Sequence, residues 1–182
     1  MSMRVLVTGS RTWPNRDAVR RALDECLRVA DTGLVVVHGA CGKGPDAMAA
    51  LWVEQWARKD APVVAEAYPA PWTARCKAQC HPNHRRCQAK LNQGIEDDHS
   101  HICAGRGGHG PHQCTICGLG WRQPEYVNTC PAAGIYRNNF MVSLGADMCL
   151  AFIMDSSAGA THCSDAANRA GIDTIVFTAT SR

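Results

Sequence analysis

Apolar residues along this chain fall into short runs that alternate with amphipathic stretches. "RVLVT" (4–8) is a β-rich run ending at Gly9, and "NRDAVRRALDECLRVA" follows with apolar positions at 19, 22, 23, 26, 27 and 30. Those positions share one helical face, and Asn15 stands where an N-cap belongs. "LVVVH" (34–38) is apolar enough for a strand buried on both faces. "PDAMAALWVEQWARK" then reads as a helix with Pro45 in its first turn, and "PVVAEAY" (62–68) as a third strand. The alternation resumes late in the chain. "GIYRNNFMVSLG" predicts a helix, "ADMCLAFIM" (146–154) a strand, "ATHCSDAANRAG" a helix ending at Gly171, and "IDTIVFT" (172–178) a last strand. The order is α/β, and it predicts a Rossmann-like, mostly parallel sheet of about five strands with helices on both faces.

Between the two halves the pattern breaks. Residues 76–130 hold few large aliphatics and no sustained period of 2 or 3.6, yet they hold seven of the eleven cysteines and six of the eight histidines. A segment of that length without a core of its own must be tied down by something other than apolar burial. The chain therefore divides into a discontinuous α/β domain, 1–75 with 131–182, and an insertion, 76–130.

Composition narrows the rest. The chain has 182 residues, 46% of them hydrophobic, enough for one domain with a proper core. "GLVVV" and "LAFIM" are too short to span a bilayer, and "MSMRVLVTGS" lacks the form of a signal peptide. No membrane association and a cytoplasmic location are expected. A net charge of +3, without a concentrated basic stripe, suits an anionic small molecule better than a nucleic acid.

In a reducing compartment, clustered cysteines and histidines point to metal rather than disulfides. Structural zinc takes four thiolate or imidazole ligands from two parts of the chain. Cys76, Cys80 and His84 offer three, and Cys130 at the far end of the insertion completes a first site, with His81 and Cys87 as substitutes. Cys114 and Cys117 form a knuckle, Cys103 is the third ligand of a second site, and the fourth is open among His99, His101, His109, His112 and Cys87, with His101 favoured and Cys87 and His112 next. Neither H-x-E…P-C-x-x-C nor H-E-x-x-H occurs, so one or two structural zinc ions are expected rather than a catalytic one.

In open parallel sheets, ligands bind beyond the carboxyl ends of the strands. Three loops expected there are rich in small residues: "TGSR" (8–11), "HGACGKGPDA" (38–47) and "MDSSAGATH" (154–162). Such loops let backbone N–H groups approach an anion. The second is not a phosphate-binding P-loop, because Pro45 and Asp46 follow Gly44 in place of Lys and Ser/Thr. No G-x-G-x-x-G follows the first strand, which lowers the case for ordinary NAD binding.

"VLVTGSR", "VVVHGACGKGPDAMAALW", "YPAPW", "AAGIYRNNFMV", "GADMCLAF" and "SSAGATH" occur in the order and spacing of the SLOG superfamily. The set resembles its YspA/cpYpsA-related branch, often associated with phages and actinobacteria, over everything except most of 76–130. That resemblance implies a Rossmann-like fold binding a nucleotide-derived ligand, a nucleoside phosphate or ADP-ribose-like signal, as sensor or sequestering protein. Similar families include LOG-type phosphoribohydrolases, which cleave N-glycosidic bonds, and DprA, which binds single-stranded DNA. A zinc-knuckle, DprA-like nucleic-acid binder is thus the alternative, and homo-oligomers are expected by the same likeness. Carried over by position, Gly9, Ser10 and Arg11 would meet the ligand from the first loop and Gly39, Ala40, Gly44 and Asp46 from the second. Arg137 and Asn138 would lie over the pocket, and Ser157, Gly159 and Thr161 would hold a phosphate. The enzymes' P-G-G-x-G-T-x-x-E is not preserved: the loop reads "SSAGATHCSD", with no Glu in the next turn. If catalysis occurs, its candidates are Asp46, Arg137 and Asp165, since an oxocarbenium-like transition state needs a placed carboxylate.

Overall fold

The computed structural model describes residues 2–70, 72 and 132–181. The chain divides into two compact units, Met1–Ala70 with Ile135–Arg182, and Pro71–Gly134. The borders expected at 75/76 and 130/131, and all of 76–130, lie outside the described residues.

Five strands form one parallel sheet: β1 Met3–Gly9, β2 Leu34–His38, β3 Val63–Ala67, β4 Met148–Met154 and β5 Asp173–Ala179. Four helices are described: α1 Arg16–Val29, α2 Pro45–Ala57, α3 Ala133–Ser143 and α4 Ala158–Arg169. Each strand expected from the pattern is present within two residues at either end. Asn15 caps α1 by accepting the Ala18 N–H at 3.0 Å, and Pro45 opens α2, where its missing N–H leaves no helical bond unmade.

Strand order is β3-β2-β1-β4-β5. The chain walks outward from β1 through β2 to β3, then crosses back to β4 and on to β5. Parallel crossovers are right-handed, so reversing the direction of travel moves the connecting helices to the other face. The core agrees with this. Val5, Val7, Leu34, Val36, Leu150 and Phe152 face α1 and α2, packing with Leu23, Trp52 and Val53. Leu6, Val37 and Cys149 face the other way, against Met141 and Val142 of α3 and Cys163 and Ala167 of α4. β1, β2 and β4 are buried on both faces, which is why they read as continuous apolar runs.

The same topology selects where a ligand can sit. Beyond the carboxyl ends of β1 and β4, connections leave in opposite directions and open a crevice.

Candidate ligand site at the sheet edge

β1 and β4 are stapled at the mouth of this crevice. Ser10 is 1% exposed, and its hydroxyl accepts the Met154 N–H at 2.8 Å and donates to the Met154 carbonyl at 3.2 Å. The one O–H of the hydroxyl is used within the fold, so Ser10 fixes the position of this mouth. Immediately after Met154 the chain turns through Asp155 (φ 50°) and Ser156 (φ 52°), and Ser157 N–H closes the turn on Met154 O at 3.1 Å. Left-handed conformation in two successive non-glycine residues costs about 1–2 kcal/mol each. Ala40, in the loop after β2, is also left-handed at φ 53°. Of four such residues among those described, three border this edge, and strain of this kind collects at functional sites.

The loop after β2 folds around its own acid. Asp46, in the first turn of α2, is 7% exposed and accepts the Cys41 N–H at 3.1 Å. Burial pushes its carboxyl up, while hydrogen bonds from the Cys41 and Gly39 backbone, the Arg137 charge and, when protonated, His38 pull it back. Some of the N–H groups expected to cradle a foreign anion therefore already hold Asp46. Gly44, left-handed at φ 68°, permits this wrap, and a Cβ there would run into the Ser10 carbonyl.

Arg137 reaches this loop from α3. Its Nη1 donates to the carbonyls of Gly39 and Tyr68, the latter at 3.1 Å, and its Nε donates to Asn138 Oδ1 at 2.9 Å. The guanidinium occupies the space a Cβ on Gly39 would fill, which explains the glycine. Asn138, 6% exposed, turns its amide nitrogen the other way and donates to Gly159 O at 3.1 Å in the first turn of α4. One amide thus couples the cation to a helix N-terminus whose Ser157 side chain makes no capping bond, while Thr161 N–H bonds Ser157 O at 2.9 Å. Both ends of that bridge favour negative charge.

His38, the last residue of β2, was not among the residues expected from sequence. It is 4% exposed, and its Nδ1 accepts the Ala40 N–H at 3.1 Å. Burial lowers its basicity, the Asp46 charge opposes that, and Arg137 reinforces it. The available signal was its place, directly before the glycine loop at a strand's carboxyl end.

The structure thus brings His38, Gly39, Ala40, Asp46, Arg137, Asn138 and Gly159 together, with Gly9, Ser10, Gly44 and Ser157 framing them. Arg11 is exposed in the turn after Ser10. Thr161 is half-buried, and Asp165 is exposed on the second turn of α4, where no described contact joins it to the cluster. All eight expected zinc ligands, Cys76, Cys80, His84, Cys130, His101, Cys103, Cys114 and Cys117, lie outside the described residues. Among the described residues, no group of three or more His, Cys, Asp or Glu side chains is arranged to hold a metal ion. Among them too, no helix is long and apolar enough to cross a membrane.

Fold and edge geometry define a Rossmann-like α/β protein with its polar cluster at the switch point. The model of the YspA, cpYpsA-related SLOG family matches residues 3–74. The chain is also similar to the Gene 61 protein of Mycobacterium phage D29, 30% identical over 174 residues, 96% of this chain and 95% of the relative. This chain belongs to the YspA, cpYpsA-related SLOG family. The phage likeness runs through the cysteine- and histidine-rich segment as well as the α/β domain. No solved structure matches the chain.

Proposed function

We propose that this chain binds a nucleotide-derived anion, a nucleoside phosphate or ADP-ribose-like molecule, in the crevice between the loops after β1, β2 and β4. The observation that carries this reading is Arg137. Its guanidinium is held by two carbonyls and an amide oxygen, none of them charged, and it joins none of the ion pairs among the described residues. A half-buried cation fixed by neutral acceptors keeps its charge available, and the uncapped α4 N-terminus adds a second attraction for an anion. Family membership supports a nucleotide-related ligand.

The role is that of a sensor or sequestering protein. Turnover as a phosphoribohydrolase would need a carboxylate beside the glycosidic bond, and Asp46 is the candidate that shares the cluster with Arg137. The insertion, in this reading, is a structural module closed by one or two zinc ions, supported by its ligand spacing.

Mass spectrometry of small molecules released from the purified protein, followed by calorimetry with AMP and ADP-ribose, tests the reading. A bound nucleotide derivative, weakened by Arg137→Met, is expected. No nucleotide binding, together with salt-sensitive binding of single-stranded DNA, would overturn it. Chromatography of AMP incubations for adenine and ribose 5-phosphate decides turnover.

A further inference from the structure

The imidazole of His38 is built into the site in a way its burial alone does not require. Nδ1 accepts the Ala40 N–H, so a neutral ring must carry its proton on Nε2. The donor belongs to a residue that is itself left-handed, Ala40 at φ 53°, directly after Gly39 in the loop. A backbone N–H thus selects a tautomer. The ring lies within electrostatic reach of both Asp46 and Arg137. Its Nε2 has no partner among the described residues, yet the fully enclosed, unpartnered side-chain nitrogen found among them is Nδ1 of His162. The Nε2–H, at the carboxyl end of β2, is thus left for a partner other than the described residues.

We propose that His38 is a ligand-binding residue of this crevice, its neutral ring donating the Nε2–H to an acceptor oxygen beside the anion held by Arg137. This rests on the reading of the crevice as a nucleotide-derivative site and adds a specificity element to it. A donor fixed in one tautomer on a buried ring discriminates in favour of ligands that place an acceptor there. A ligand lacking it leaves the Nε2–H unpaired, and mismatches of that kind are penalised more heavily than a missing methyl group.

Two substitutions separate the two ring nitrogens. In His38→Asn the amide oxygen stands where Nδ1 stands, so the Ala40 bond is kept and the Nε2 donor is removed. In His38→Gln the longer amide carries an N–H toward the position of Nε2. AMP is the probe, measured by calorimetry. His38→Asn is expected to bind AMP about tenfold more weakly than the parent, and His38→Gln to recover part of that loss. Long-range proton–nitrogen correlation on protein with 15N-labelled histidine supplies a readout that a purely structural role would not move. The free protein should show His38 protonated at Nε2, and the Nε2 resonance should shift when AMP saturates the site.

An Nδ1–H tautomer in the free protein overturns the assignment whether or not AMP binds. So does parental AMP affinity in His38→Asn, or an Nε2 resonance that does not move at saturation. Absence of AMP and ADP-ribose binding in the parent, with the expected tautomer present, places the failure in the nucleotide reading itself, and the donor role falls with it.

Discussion

Asn138→Asp changes one atom and tests the central electrostatic claim. The residue is 6% exposed and stands between Arg137 Nε at 2.9 Å and Gly159 O at 3.1 Å. Aspartate has nearly the same shape, but it places a carboxylate on the guanidinium. At a separation of about 4 Å and an effective dielectric of about 20, a unit charge pair attracts by about 4 kcal/mol before desolvation is counted. That attraction occupies the positive charge that the proposed ligand would otherwise use. On the other side, the amide donor to Gly159 O becomes an acceptor, and the lost bond costs about 1–3 kcal/mol. The two effects oppose each other in stability, so the variant is expected to remain folded, which circular dichroism and a thermal melt check. They do not oppose each other in binding. Loss of a charge-assisted contact to the ligand is worth about 2 kcal/mol, or about 30-fold in the AMP dissociation constant. Asn138→Ala removes both hydrogen bonds without adding charge, and a drop of about fivefold is expected from looser positioning of Arg137. Calorimetry on the two variants separates charge from position. A folded Asn138→Asp that binds AMP as the parent does, or one no weaker than Asn138→Ala, refutes the claim that Arg137 keeps its charge for the ligand.

Three other outcomes are expected. Ser10→Ala leaves the Met154 backbone N–H and carbonyl without their partner at the mouth of the crevice, and urea unfolding should show a loss of about 1–3 kcal/mol. Glu66 on β3 takes a two-pronged ion pair from Arg4 on β1 and a hydrogen bond from Tyr68, which hold its carboxyl at about 2, below the ordinary 4.5. A depressed acid stabilises the fold above its unfolded value and loses that contribution as pH falls from about 4.5 towards 2. Because the pair is partly solvated, Glu66→Gln is expected to cost only about 1 kcal/mol at pH 7, with the gap to the parent narrowing in urea melts at pH 3. Elemental analysis of protein purified without added chelator is expected to find about one or two zinc ions per chain, and a metal-free preparation would remove the zinc reading of the insertion.

Much of the fold was legible because burial on two faces writes itself into β1, β2 and β4 as unbroken apolar runs. The caps of α1 and α2 were legible because Asn15 and Pro45 act within one turn of their own positions. β3 and β5 are edge strands with exposed Val64, Ile175 and Val176, so their β-branched content carries the strand signal where burial does not. Of the site, the glycine loops and the Arg-Asn pair carried a family pattern. The separation of Asp165 from Asp46 did not, because it depends on which face of α4 meets the sheet. His38 went unnoticed because a histidine ending a strand has no local signature of its task.

The sequence by itself therefore settles the alternation of strands and helices and the concentration of small residues at the strand ends, since periodicity and backbone permissiveness are local properties. The tertiary structure decides what those residues do. Only the 3-2-1-4-5 order brings Ser10 onto Met154, and only the crossing from β3 to β4 carries Arg137 back over Gly39. Whether a loop's N–H groups face a foreign anion or its own Asp46 is likewise a matter of three-dimensional closure. Charge compensation is non-local, and for that reason the availability of the Arg137 cation could be read only from the folded chain.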